Sequence, residues 1–273
     1  MHPDAPRDSG VRSRKPVSRQ ARTTLRFYAE LNDFLPAERR QRDIDIGFVA
    51  PVPARHLIEL CGVPHTEVEL IMRAGESLGL ESAVHDGDRL AVYPMFEAFD
   101  VHGELRLRPQ PLRHPRFIAD AHLARLARDL RMLGFDTLWE NDLGDADLAR
   151  VAAAEHRVLL TSDRQLLMRR QVTHGCYLRP ADPQAQLAYL VERLQLCGDI
   201  RPFTRCTACN QPVEPVPCAA VRDAVPPGVR RDLDAFWRCT GCGRVYWQGS
   251  HWQAMAERVS ALCPSWRDGD AAP

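Results

Sequence analysis

Two cysteine pairs offer the most defined chemistry in this chain. Cys206-Thr-Ala-Cys209 and Cys239-Thr-Gly-Cys242 are separated by 29 residues, 210–238. Four thiolates fill the tetrahedral shell of a structural zinc and leave no open position for catalysis. Gly241 and Gly243 flank Cys242 and permit the tight turn of a zinc knuckle. The alternatives are four unrelated buried thiols or a redox pair, but neither pair sits in a thioredoxin-like strand-helix context. Cys61, Cys176, Cys197, Cys218 and Cys263 read as plain thiols.

Carboxylates form a second constellation. Asp120 ends the apolar run RFIA, Asp163 lies just past VLLT, and Asp142, Asp145 and Asp147 surround the start of the helix between them. In a parallel sheet the C-terminal strand ends gather on one edge, where ligands bind. Acids distant in sequence therefore meet there, and their mutual repulsion calls for a cation. Oxygen ligands of this kind suit Mg²⁺ or Mn²⁺, which bind phosphate oxygens and activate water, the requirements of phosphodiester hydrolysis. The competing reading is structural: Asp120, Asp145 and Asp163 each precede a helix that an aspartate would cap.

Arg125 and Arg128 lie off the apolar face of the first of these helices, and Arg164 follows Asp163 directly. They are candidate phosphate contacts or simply a solvated surface. Phe236-Trp237 and Tyr246-Trp247 bracket the second cysteine pair, either to stack bases or to form the small core of a zinc module.

The elements that must position these residues follow from periodicity. After a Pro-, Ser- and Arg-rich tail, residues 1–22, short strands surround one helix (TLRFYA, IDIGFVA, helix Ala54 to Cys61, VELIMRAG, DRLAVYP), a ββαββ unit over 23–96. Residues 97–115 hold three prolines and little periodicity, a domain linker. Over 116–200 strands alternate with helices, which implies a parallel α/β sheet with right-handed crossovers. Leu123, Leu126, Ala127, Leu130 and Leu133 share one face of its first helix, which Gly134 ends. The cysteine module spans 201–260, with a tail at 261–273. The fold class is thus mixed, α/β and α+β, in several domains.

With 273 residues, 45% of them hydrophobic, the chain can bury more than one core. Formal charge is zero, so the chain lacks the basic footprint of a non-specific nucleic-acid binder. No apolar run is long enough to span a membrane and the N-terminus lacks a signal-peptide core, so the expected location is cytoplasmic.

The stretches RFIADAHLARLARDLRMLGFDTLW and DADLARVAAAEHRVLLTSDRQLL, then both cysteine pairs and RVYWQGSHW, resemble the Mut-seven C-terminal RNase family, a PIN-like nuclease fold followed by a zinc ribbon. The N-terminal unit, with LRFYAELNDFLP, GVPHTEVELI and DGDRLAVYPMFEAFDV, looks like the ubiquitin-like β-grasp domain often fused to it. The resemblance implies that Asp120, Asp147 and Asp163 bind a catalytic Mg²⁺ or Mn²⁺, with Asp142 and Asp145 as lesser candidates. It also implies structural zinc and RNA as substrate, and it leaves the β-grasp unit as a candidate site for a protein partner.

Two departures stand out. Many PIN-like domains carry another acid shortly after the one in Asp163's place, where this chain has Arg164 and Gln165. The β-grasp unit runs on into another domain, so it offers no Gly-Gly terminus for activation and reads as a binding or scaffolding module. The expected function is a metal-dependent ribonuclease. The rivals are a non-catalytic RNA-binding or adaptor protein and a nuclease directed at DNA.

Overall fold

The computed structural model describes residues 19–94, 114–233 and 235–266. Most of the expected N-terminal tail, nearly all of the linker and residues 267–273 of the expected C-terminal tail lie outside them.

The N-terminal unit is built on β1 (Arg19–Phe27) and β2 (Asp43–Ala50), an antiparallel pair that starts at Arg19↔Ala50, so β1 begins before Thr23. Ala21, Thr23, Leu25 and Phe27 are buried while their neighbours are not, the period of two of a half-covered strand. β3 (Val52–Pro53) leads into α1 (Ala54–Leu60), followed by β4 (Val68–Arg73), β5 (Glu76–Ser77), β6 (Ala83–Val84) and β7 (Arg89–Pro94). The main sheet has the order β2-β1-β7-β4-β5 with β1 and β7 parallel, and β3 pairs with β6. α1 covers one sheet face, where its Leu57 and Ile58 share a core with Leu25, Phe27, Ile71 and Leu90. Each such side chain contributes about 1.5–3 kcal/mol of transfer free energy. The architecture is the expected β-grasp.

The second unit is an α/β sandwich. β8 (Phe117–Ala119), β9 (Thr137–Leu138), β10 (Val158–Thr161) and β11 (Gly175–Tyr177) form a parallel sheet ordered β11-β10-β8-β9. α2 (Ala124–Met132), α3 (Asp145–Ala154), α4 (Arg164–Leu167) and α5 (Pro183–Arg193) connect or cover these strands. Phe117, Ala119, Val158 and Leu160 face a core shared with α2 and α5, whereas Ile118 and Leu159 face α3 and α4. Burial on both faces explains why these strands read as unbroken apolar runs. Gly134, after α2, has φ +94°, and a Cβ there would lie 2.1 Å from the Arg201 carbonyl oxygen, so glycine is required on two counts.

The cysteine module contains β12 (Val213–Val216), α6 (Pro227–Asp232), β13 (Phe236–Cys239) and β14 (Val245–Trp247), with an antiparallel sheet ordered β12-β13-β14. α7 (Ser250–Leu262) leaves the module and packs on the α/β unit, where Ala256, Val259, Cys263 and Trp266 join the α2–α5 core. This corrects the expected tail at 261–273: Cys263 and Trp266 are buried anchors. Cys197 and Cys263, expected to be plain thiols, form a disulfide between the end of α5 and the end of α7. Cys61, Cys176 and Cys218 form no disulfide.

The β-grasp unit docks against the α/β unit through charge. Glu67, fully buried, accepts from the Tyr177 backbone N–H at 2.7 Å and from Arg193 Nη2 at 2.5 Å. Arg193 Nη1 also reaches Glu30, Arg179 pairs with Asp33 at 3.0 Å, and His65 Nε2 lies 2.8 Å from the Val172 carbonyl oxygen. No helix among the described residues is long and apolar enough to cross a membrane.

Candidate functional site

β8 and β10 are adjacent and parallel, so the residues past their C-terminal ends share one edge of the sheet. Thr161, fully buried, links the acids there. Its Oγ1 donates to Asp120 Oδ2 at 2.6 Å and accepts the Asp163 backbone N–H at 3.0 Å. Asp120 Oδ1 accepts from the Ala121 N–H at 2.6 Å, and Asp163 Oδ1 accepts from the Gln165 N–H at 2.7 Å. Both aspartates therefore cap the helical turns that follow them. A carboxylate has about four lone-pair sites, so a cap leaves capacity for a further ligand.

Two neighbours escaped the sequence reading. His122 Nε2 lies 2.8 Å from Ser162 Oγ, and its Nδ1 lies 3.5 Å from Asp120 Oδ2. A histidine two residues after Asp120 and a serine just before Asp163 were the available signal, but only strand pairing brings them together.

The other acids are not gathered with Asp120 and Asp163. Asp147 lies on the exposed side of α3, where its carboxylate meets Arg150 at 3.0 Å. Asp145 is not the cap of α3, because Gly144 occupies that position, and its carboxylate lies 3.6 Å from Arg169. Asp142 is exposed. Among the described residues the four cysteines are the one group of three or more His, Cys, Asp or Glu side chains placed to hold a metal ion.

Arg125 and Arg128 are exposed on α2. Arg164 contributes to the domain interface: Nη1 donates to the Phe34 carbonyl at 3.1 Å, and the guanidinium lies over the Phe34 and Tyr177 rings. Its planar, weakly hydrated head suits such stacking.

The ligand atoms of Cys206, Cys209, Cys239 and Cys242 all lie within 4.8 Å of one another, an arrangement that can hold a metal such as zinc. The backbone N–H groups of Gly241 and Cys242 both point at Cys239 Sγ, each at 3.4 Å. Burial opposes ionisation of Cys209, but the Gln211 N–H and the neighbouring thiols outweigh it and draw its pKa down to about 6. Burial likewise opposes the Cys206 thiolate, and the Tyr246 hydroxyl, 3.0 Å away, does most to bring its pKa below the ordinary value. Cys239 is pushed up to about 12, chiefly by burial. Gly243 has φ +73°, which supplies the turn expected after Cys242.

The module is fastened to the α/β unit by buried polar groups. Arg131 donates to the carbonyls of Thr137 and Ala208, each at 2.9 Å. Asn210 accepts the Thr137 N–H at 2.9 Å and donates to Asp136 at 2.7 Å. The four aromatic residues divide their work: Phe236 and Trp247 belong to the module's own core, Tyr246 contacts Cys206, and Trp237 lines a cleft.

Comparison with known proteins supplies the family. The Mut7-C RNAse domain matches residues 115–259, and the Mut7-C ubiquitin domain matches residues 20–100. No curated protein matches the chain significantly. Among solved structures, SAMP1 from Haloferax volcanii is similar at 17% identity and a TM-score of 0.24, over 29% of this chain and 100% of that one. The first match takes in more than half of the sequence, 145 of 273 residues, and the protein belongs to the Mut7-C RNAse domain family.

Proposed function

We propose that this chain is a metal-dependent ribonuclease, acting as an endoribonuclease on RNA phosphodiesters, with Asp120 and Asp163 as the principal ligands of a catalytic Mg²⁺ or Mn²⁺. The observation that supports this reading is the Thr161 hydroxyl, which donates to the Asp120 carboxylate and accepts the Asp163 backbone N–H at the carboxyl edge of adjacent parallel strands. Mg²⁺ is commonly held by one or two carboxylates plus substrate phosphates, so two acids suffice for the donor set. When bound, the cation would activate water and neutralise charge on the phosphoryl oxygens.

The chain's own groups do the positioning. Thr161 fixes the rotamer of Asp120, and the caps hold both carboxylates at the mouth of the sheet. Asp147 completes the set if it turns from Arg150, an exposed pair worth about 0–1 kcal/mol. His122 and Ser162 stand beside Asp120, within reach of a bound phosphodiester, and Arg125 and Arg128 would meet flanking phosphates. Zinc in the four-cysteine site would hold the ribbon together. We place the protein in the cytoplasm, where the four clustered thiols stay reduced; the Cys197–Cys263 bridge, with Cys263 fully buried, is then an exception in that compartment.

The two caps support a second reading, a non-catalytic RNA-binding or adaptor protein in which these acids are structural and the β-grasp unit meets a protein partner. Metal-titrated cleavage of labelled single-stranded RNA and DNA, with EDTA as control, separates the readings. Mn²⁺-dependent cutting of RNA supports the nuclease, preferential cutting of DNA redirects its substrate, and no cutting of either favours the adaptor.

A further inference from the structure

A cleft of about 510 Å³ lies between the β13–β14 hairpin, α7 and the end of α2, apart from the carboxylate edge. Trp237 and Tyr246 are cross-strand partners, so their rings stand on one face of the hairpin. The hydroxyl contact with Cys206 ties Tyr246 to the cysteine site, and with it that wall of the cleft. On the α7 side Trp252 packs against Phe203, ring centroids 5.1 Å apart. Trp237, Tyr246, Trp252 and Phe203 are all only partly buried, so ring surface remains open to a ligand.

Among the described residues the lining includes Arg205 and Arg244 but no aspartate or glutamate. Arg244 is exposed and pairs with no carboxylate among the described residues. Arg205 spends Nη1 on the Asn210 carbonyl at 2.9 Å, and its Nη2 lies 3.9 Å from Asp136 Oδ2, which leaves Arg244 as the cation open to a ligand. The first turn of α7 also lines the cleft, without an acidic residue and without a side-chain cap, so its free N–H groups add positive potential. Flat aromatic surface beside unpaired positive charge complements a ligand with a π-face and a phosphate.

We propose that this cleft binds a short, nucleotide-sized segment of single-stranded RNA, with a base stacked on Trp237 or Trp252 and its phosphate held by Arg244 and the α7 N-terminus. The volume falls within the roughly 300–1,000 Å³ of small-ligand sites, too little for a duplex. A duplex also keeps its bases stacked internally and cannot offer one to the rings. Only the choice of RNA over other nucleic acid rests on the ribonuclease reading; the cleft's chemistry stands apart from the acids.

The test is fluorescence anisotropy of the full chain with a labelled RNA strand of about 12 nucleotides, without added divalent cation so that the strand stays intact. Trp237→Ala and Arg244→Ala are each expected to weaken binding, the tryptophan change by roughly 5- to 100-fold. A pre-annealed duplex should compete poorly. Zinc content and Mn²⁺-dependent hydrolysis of bis(p-nitrophenyl) phosphate, too small to need the cleft, should remain at parent values. Because Arg244 is exposed, its substitution reports on binding even if Trp237→Ala disturbs folding. If the parent hydrolyses no diester yet binds the strand in a manner that both substitutions weaken, the nuclease reading fails and the cleft stands. Absence of RNA binding by the parent, or parent affinity in both zinc-replete variants, overturns the proposal.

Discussion

Glu67 of the β-grasp unit and Arg193 of α5, 126 residues apart, meet at 2.5 Å, with Glu67 wholly buried. Burial disfavours the charged form of Arg193, but Glu67 more than compensates and raises its pKa. Removing one partner of a buried pair strands the other charge, at a cost of about 3–5 kcal/mol. Glu67→Ala also orphans the Tyr177 N–H. Urea denaturation should show a loss of this size, and a loss below about 1 kcal/mol would mean that the domains do not dock through this pair.

Asp136 joins the α/β unit to the cysteine module. Burial opposes its ionisation, but hydrogen bonds from Arg157 and Asn210 outweigh this and hold its pKa below the ordinary value. A depressed folded-state pKa gives stability that is fully present above the unfolded value, about 3.9, and is lost as pH falls through the folded value. Asp136→Asn should therefore flatten the acid limb of the stability profile below about pH 4. An unchanged acid limb would contradict this role.

Freshly purified protein should carry about one zinc per chain, since a closed thiolate site couples binding to folding. Cys209→Ser should lose it and unfold the ribbon. Elemental analysis that finds less than roughly 0.2 zinc per chain would overturn the zinc assignment.

The Cys197–Cys263 bridge closes a loop with a sequence separation of 66. Alkylation after denaturation without reductant should therefore modify the seven cysteines outside the bridge and leave two protected. Cys263→Ser should cost about 2–4 kcal/mol. Nine alkylated cysteines would show that the pair is reduced.

Much of the fold is legible because local pattern and burial agree. The apolar runs at β8 and β10 are buried on both faces, and the leucines of α2 fall on one stripe. The positions of Asp120 and Asp163 follow from the rule that parallel strand ends share an edge. What stays hidden depends on partners distant in sequence. Nothing local marks Glu67 and Arg193 as a buried pair or Arg164 as an interface residue, and Cys197 and Cys263 carry no motif spacing. Thr161 is a plain strand residue until pairing places it between two acids. Asp147 looks equivalent to Asp163, but its place in α3 sets it against Arg150.

Asparagine at position 163 separates ligand from cap. It caps a helix about as well as aspartate, and its amide is a poor ligand for a hard cation. Asp120→Asn is less innocent, since both carboxylate oxygens accept hydrogen bonds, and losing one should cost about 1 kcal/mol. The decisive measurement is Mn²⁺-dependent cleavage of labelled single-stranded RNA by the parent and by Asp163→Asn, each also scanned for thermal stabilisation by Mn²⁺. The prediction is cleavage by the parent and a loss beyond the roughly 10- to 100-fold typical of outer-shell changes in the variant, with metal-free stability and zinc content kept. Full cleavage and a full Mn²⁺-induced shift in Asp163→Asn would contradict the carboxylate metal site.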